Sequence, residues 1–300
     1  MEKFAEPQRT FRIDGVAVGG QPGELPPVLI GSMFYAGHDI VRDSRRGLFD
    51  RDRARALLEA EAELSAATGL PRMVDVVGDT GQALLRYIEF VAQTTTAPVV
   101  VDSPSPQARM EVVKHFGSTE LAGRLVYCPL AADAEEEEIE ELSESQVRAA
   151  VAMTLDPRRP EPRRRLEVLQ NRLLPAAERA GITALLVDVG VPDLPGLGPA
   201  ARAVREVKGT LGYPAGCGPS GAFYAWRRAR RVHPPAVEAA GGAVLALPLA
   251  WGADFLFYGP IASAPWVYPA CAAASALVAS AGRAAGVRPL TRMHPLYRIF

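Results

Sequence analysis

The chain has 300 residues, the length that one (β/α)₈ barrel of about 250 residues uses with modest insertions. Apolar residues make up 48% and charged residues 22%, the balance of a globular domain with a large core and not of a disordered chain. With 33 basic against 34 acidic residues the formal charge is −1, which leaves no basic footprint for nucleic acid and no polybasic membrane anchor.

The start, Met1-Glu2-Lys3-Phe4-Ala5-Glu6, is charged and lacks the apolar core of a secretion signal. The apolar stretch around Gly241 to Trp251 falls short of the ~20 residues of a membrane span. Cys128, Cys217 and Cys271 are widely spaced and make no C-x-x-C pair. A cytoplasmic protein without a direct membrane span is expected.

Two short runs flank Asp14-Gly15, and Asp-Gly between such runs signals a hairpin over about residues 11–20. Its expected place is the bottom of the barrel. Val28 to Met33 then reads as a buried strand, followed after a loop by a helix over Arg51–Thr68. Met73 to Val77 precedes a helix from Gly81 to Gln93, and Pro98 to Asp102 precedes one from Gln107 to Phe116. Arg124 to Cys128 leads into an acidic helix, where Asp133, Glu135 to Glu138, Glu140 and Glu141 suit a solvated face and a helix N-terminus. Val147 to Thr154 is the fifth strand, and the helix after it ends before Gly181. Ala184 to Asp188 is the clearest strand and Gly212 to Gly216 a weaker one. Asp254 to Tyr258 is the last, with an Ala-rich helix running to Gly282.

Eight alternating strand–helix units imply a parallel sheet, and the lack of a Gly-rich nucleotide loop after the first strand favours a closed barrel over an open one. No boundary divides the chain, so residues 1–300 are read as one barrel domain. The segment Arg158 to Arg165, with its prolines, reads as a basic loop rimming the mouth. It serves either as plain surface or as a contact for an anionic substrate tail.

Active sites of such barrels lie at the carboxyl ends of the strands. Asp102 closes the third strand in Val-Val-Val-Asp-Ser, Asp188 closes the sixth in Leu-Leu-Val-Asp-Val, and Asp75 lies within the second. A carboxylate after several buried residues needs a partner, and a polar heterocycle with N–H donors is one. Capping the next helix is the alternative, notably for Asp102 before Ser103-Pro104-Ser105. His38, His115, His233 and His294 form no metal-binding spacing. Only His38, in the loop after the first strand, is placed to face the mouth, as a general acid or base or in bonds within its own loop. Cys128 ends the fourth strand as apolar filler or nucleophile. Gly216 to Gly221, including Ser220, opens a helix whose amides suit an anionic or carbonyl group.

Gly19-Gly20-Gln21-Pro22-Gly23-Glu24 with Val28-Leu29-Ile30-Gly31-Ser32-Met33-Phe34-Tyr35-Ala36-Gly37-His38 resembles the start of the H subunit of tetrahydromethanopterin S-methyltransferase. Gly252-Ala253-Asp254-Phe255-Leu256-Phe257-Tyr258-Gly259-Pro260-Ile261, Ala264-Pro265 and the closing His294-Pro295-Leu296 are similar to the same family. The resemblance implies a (β/α)₈ barrel that binds a reduced pterin, tetrahydrofolate or tetrahydromethanopterin. It also implies a methyl group moving between the pterin N5 and a cobalamin on a separate corrinoid protein, and a homodimer. In that reading Asp102 and Asp188 are the working carboxylates that grip the ring. Asp75, Ser103, Cys128, Gly216, Ser220 and Gly221 are then substrate-binding.

Two positions depart from the family's pattern. Cys128 stands where members tend to carry Asn, and Ser220-Gly221 where they tend to carry a His-Asn pair after Gly-Cys-x-Pro. Asn offers donor and acceptor together, which neither Cys nor Gly replaces. These departures keep two alternatives open: a pterin-binding barrel with another activity, and a non-catalytic subunit of a corrinoid methyltransferase complex.

Overall fold

Asp14 (φ 40°) and Gly15 (φ 87°) both take left-handed conformations, the geometry of a two-residue hairpin turn. They join β1 (Thr10–Ile13) to β2 (Val16–Gly19) as an antiparallel pair. Ile13 and Val18 are buried in the cluster that fills the barrel axis, so the expected hairpin does sit on the barrel's lower end.

The computed structural model describes residues 2–155, 164–231, 233 and 236–299. β3 (Val28–Met33) is followed by a small antiparallel pair, β4 (Val41–Asp43) and β5 (Leu48–Phe49), which the loop's mixed sequence did not announce. α1 (Arg51–Thr68) starts on Asp50, whose side chain accepts from the Arg53 amide. β6 (Arg72–Val77), α2 (Gly81–Thr94), β7 (Val99–Asp102) and α3 (Pro106–Phe116) come next, with Thr80 and Ser105 as helix caps. β8 (Leu125–Leu130), α4 (Glu136–Glu144) and β9 (Ala149–Met153) lead to α5 (Arg164–Val168). A π turn over Leu169–Leu173 joins α5 to α6 (Leu174–Arg179), just where Pro175 removes a helix donor.

β10 (Ala184–Asp188) and α7 (Leu197–Leu211) follow. The seventh strand is later than the sequence suggested: β11 is Ala215–Cys217. Gly212 is instead the left-handed cap of α7 (φ 66°), so Tyr213 and Pro214 are the approach to the strand. Two helices, α8 (Ser220–Arg230) and α9 (Ala236–Ala250), precede β12 (Phe255–Pro260) and α10 (Ala264–Gly282). The basic stretch expected from Arg158 to Arg165 lies outside the described residues except for Arg164 and Arg165, which open α5.

The eight strands β3, β6, β7, β8, β9, β10, β11 and β12 close into a parallel barrel, a (β/α)₈ fold. One buried cluster fills its axis and a second lies between the strands and the outer helices, the two layers that make barrel strands continuously apolar. A helical stretch, Ile261–Ala285, is long and apolar enough to cross a membrane by length and composition. Half of its most apolar window is buried, and it packs along α9 and α1.

Candidate active site

Side chains alternate across a strand, and the axial cluster fixes which set points inward. Ile30, Met73, Val100, Val126, Val151, Leu186 and Phe255 all belong to it. Two residues further along the same strands, on the same face, stand Ser32, Asp75, Asp102, Cys128, Met153, Asp188 and Phe257. The strand period therefore gathers three carboxyls, a thiol and a hydroxyl at the carboxyl end of the barrel. Register agrees: Ser32 lies opposite Asp75, Asp102 opposite Cys128, and Asp188 opposite Gly216.

Asp75 is buried. Ser32 Oγ donates to its Oδ2 at 2.6 Å, while Oδ1 has no partner. Burial and then the Asp102 charge lift the Asp75 carboxyl well above the usual carboxylate range, against the Ser32 hydrogen bond. Asp102 keeps some accessible surface; burial pushes it up to about 6, and Arg109 works against the rise. Asp188 is likewise raised by burial to about 6, opposed by the Gly190 amide, which donates to Oδ1 at 2.7 Å, and by Arg165. The Asp102 charge acts on both of the others, in a low-dielectric space.

Each outer carboxyl has an arginine behind it. Arg109 Nη1 donates to Ser103 O at 2.5 Å and Nη2 pairs with Glu138 Oε1 at 2.7 Å. The Tyr127 hydroxyl also donates to Glu138. Arg165, buried, reaches toward the Gly190 carbonyl at 3.4 Å. Asp75 has no such arginine among the causes of its shift.

The remaining candidates divide. Cys128 is buried, and burial followed by the charges of Asp102, Asp75 and Asp188 raises its thiol, so it stays protonated near neutral pH. Ser103 is fully buried and its Oγ accepts from the Ser105 amide, which places it in the turn leading to α3. Gly216 is small for a packing reason: a Cβ there would lie 2.1 Å from Phe255 O. Ser220 packs over Gly259, whose added Cβ would lie 2.6 Å from Ser220 Cβ. Gly221 faces open space, with nothing within 4 Å of an added Cβ.

His38 is buried in its own loop, where Nδ1 accepts from Phe34 N at 3.0 Å and the ring stacks on Tyr35. Burial holds its imidazole below the ordinary range. His115 is exposed on α3, and His294 is buried near the C-terminus, accepting from the Leu296 amide. Among the described residues no three His, Cys, Asp or Glu side chains are set to hold a metal ion. A groove of about 570 Å³ at the opposite end of the barrel, between the β1–β2 hairpin, Gly69 and Leu290, is lined by no carboxylate, histidine or cysteine. The chemistry is concentrated at the mouth.

Ser32, Met153 and Phe257 join the expected residues at the mouth, and counting two residues on from each axial side chain finds all three. Arg109 carried no such signal, and Arg165 was marked only as the end of a basic stretch rimming the mouth; its place behind Asp188 comes from the fold.

Residues 6–290 match the family described as tetrahydromethanopterin S-methyltransferase MtrH subunit. The H subunit of that enzyme from Methanothermobacter thermautotrophicus is 35% identical over 311 residues, covering 100% of both chains. The H subunit from Methanocaldococcus jannaschii is 36% identical over 320 residues, again with 100% of both covered. The H subunit of a putative mtx methyltransferase from Methanosarcina barkeri is 33% identical over 307 residues and 99% of each chain. Among solved structures, dihydropteroate synthase from Thermus thermophilus in complex with 6HMPPP aligns with TM-score 0.63 at 18% identity, covering 90% of this chain and 100% of that one. The Xanthomonas albilineans dihydropteroate synthase in complex with 7,8-dihydropteroate gives 0.61 at 20%, covering 89% and 98%. At such identities these two show a shared fold. The full-length sequence matches show more: this chain belongs to the MtrH family of tetrahydromethanopterin S-methyltransferase and is a methyltransferase.

Proposed function

We propose that the mouth binds a reduced pterin and that the protein moves a methyl group between the pterin N5 and the cobalamin of a separate corrinoid protein. The observation that carries this reading is the set of three carboxyls at the mouth, Asp75 and Asp188 buried and Asp102 half-buried, with Asp75 Oδ1 left without a partner. A pterin offers a row of N–H donors along its guanidine-like edge, and ionised carboxylates are the acceptors that edge requires. Asp102 and Asp188 grip it, with Arg109 and Arg165 holding both toward the charged form. The MtrH relatives favour tetrahydromethanopterin, and tetrahydrofolate is the other candidate.

The corrinoid supplies the methyl-accepting metal centre and comes from its own protein, so the mouth has to stay wide; the free space over Gly221 suits that. For methyl to leave N5, that nitrogen must gain positive character from a proton or a hydrogen bond. Asp75 fits this need. Ser32 occupies its Oδ2, and burial with the Asp102 charge raises the carboxyl well above the usual carboxylate range, toward its protonated form. The protein works as a homodimer in the cytoplasm in this account.

Titration with 5-methyl-tetrahydromethanopterin and 5-methyl-tetrahydrofolate tests the reading. Binding of one of them in the micromolar range is expected, and no binding of either at millimolar concentration counts against it. A second reading, a related barrel with another activity or a subunit without turnover, is favoured by Cys128 and by the empty space at Gly221 where an N5 contact is needed. Gly221→Asn separates the two. The site accommodates the side chain, and a restored contact to N5 raises methyl transfer by roughly 10²-fold. An unchanged rate means that the missing amide is not what limits the reaction.

A further inference from the structure

Between Val207 and Val237 the chain has no aspartate or glutamate. Within that stretch α8 ends in Arg227, Arg228 and Arg230 and is capped by Arg231. Arg228, Arg230 and Arg231 are exposed, and Arg227 is half-buried with its guanidinium 5.8 Å from the Tyr224 ring. Among the described residues none of the four meets a carboxylate, although ten other arginines and lysines of the chain do. One or two cations in a last turn answer the helix dipole; four without a counter-charge exceed that need.

Arg231 adds an independent observation. It sits at φ 51°, ψ 42° as the cap of α8, a left-handed position that strains a side chain and that glycine fills without cost. The chain keeps a charge where the backbone would relax with none.

The helix is tied to the mouth. Gly218, just before it, would place a Cβ 3.9 Å from Asp188 Oδ2, and Tyr224 Oη hydrogen-bonds Ser263 Oγ at 2.6 Å just beyond β12. At 1.5 Å rise per residue the arginines begin about 10 Å along the axis from Ser220. Tyr224, Arg227, Arg228 and Arg231 follow the spacing that shares one face of a helix.

We propose that the arginine-bearing end of α8 binds the anionic tail of the reduced pterin, the glutamyl carboxylates of a folate or the anionic end of a methanopterin. The inference rests on the pterin reading above. With N5 toward Ser220 and Gly221, the substituent on the neighbouring C6 leaves the mouth beside the first turn of α8. It then runs along the helix to guanidinium groups, which match carboxylate or phosphate oxygens in pairs. An acidic protein surface is the competing occupant.

Equilibrium titration of the full chain with 5-methyl-tetrahydrofolate carrying one glutamate, the same compound carrying five, and 5-methyl-tetrahydromethanopterin decides it. The wild type and a double variant, Arg227→Gln with Arg231→Gly, are compared, and the second change relieves the left-handed strain, so folding is preserved. The wild type is expected to bind the five-glutamate form about ten-fold more tightly or better at low salt, with the gain falling toward one at high salt. In the double variant that gain disappears, the one-glutamate affinity falls by less than the five-glutamate affinity, and any methanopterin affinity falls. Equal binding of the two folates by the wild type overturns the inference alone. A gain that survives in the variant also overturns it and leaves these arginines to an acidic protein. Binding of none of the three pterins to the wild type overturns both the pterin reading and the inference.

Discussion

At the amino-terminal end of the barrel Asp254 is fully engaged: Lys208 Nζ lies 2.5 and 2.6 Å from its two oxygens, and the Ala215 amide donates to Oδ2 at 2.9 Å. At the mouth Asp75 is just as buried, yet one of its oxygens has no partner and the charge that acts on it is another carboxylate, Asp102. Burial lifts the Asp254 carboxyl too, but Lys208 and the amide pull the other way, and the contact distances make it an ion pair. Lys208 Nζ also donates to Gly20 O at 2.9 Å, so the lower pair fastens the residues after the β1–β2 hairpin to the barrel. One end spends its carboxylate on the fold. The other keeps carboxyls that the fold alone does not satisfy, which is the mark of a site awaiting a ligand.

The largest effect is expected at the lower end. Lys208→Met leaves Asp254 buried and unpaired, and about 3–5 kcal/mol of stability is expected to go, read as a lower urea midpoint at unchanged slope. A midpoint within error of the wild type would make the two ends alike.

At the mouth the sign reverses. A carboxyl that ionises near 4 in the unfolded chain and near 6 when folded, as Asp188 does, holds a proton in the folded state that the unfolded state has lost. Its stabilising share is therefore present below about pH 4 and is lost as pH rises to about 6. Asp188→Asn is expected to gain about 3 kcal/mol at pH 8 and nothing at pH 4, while losing methyl transfer. Thermal denaturation at both pH values reads the difference, and Asp102→Asn should behave alike.

A smaller effect comes from the arginine behind Asp102. Arg109→Gln leaves Glu138 short of a partner and costs about 1–3 kcal/mol. It also removes the charge that restrains Asp102, so the pH at which ligand binding switches on moves up. A pH profile identical to the wild type would show that Arg109 is only structural. The mildest test leaves the chain intact: wild-type affinity for a methylated pterin is expected to fall as pH drops through about 6, when Asp102 and Asp188 take up protons.

Much of the barrel was legible because parallel strands buried on both faces read as continuous apolar runs. The hairpin, α1, β3 and β10 fell where the sequence placed them. β11 did not, since a three-residue strand between Gly212 and Gly218 has too little apolar sequence to mark its own limits. The strand-end carboxyls were legible for the same reason as the strands: Asp102 and Asp188 interrupt apolar runs. Ser103 and Gly216 were less so, because their roles depend on a turn and on the approach of Phe255, neither of which is local in sequence. The pairing of Arg109 and Arg165 with the carboxyls emerges only once the helices stand beside the strands.

The central claim is that the mouth carboxyls hold a methylated pterin for transfer to a corrinoid. Its most direct test follows the absorbance of cob(I)alamin mixed with the protein and each methylated pterin. The account predicts conversion to methylcobalamin by the wild type with one of the pterins, and a loss of about 10²-fold or more in the Asp102→Asn, Asp188→Asn double variant. Full-rate conversion by that variant, or none by a wild type that binds neither pterin, would contradict it.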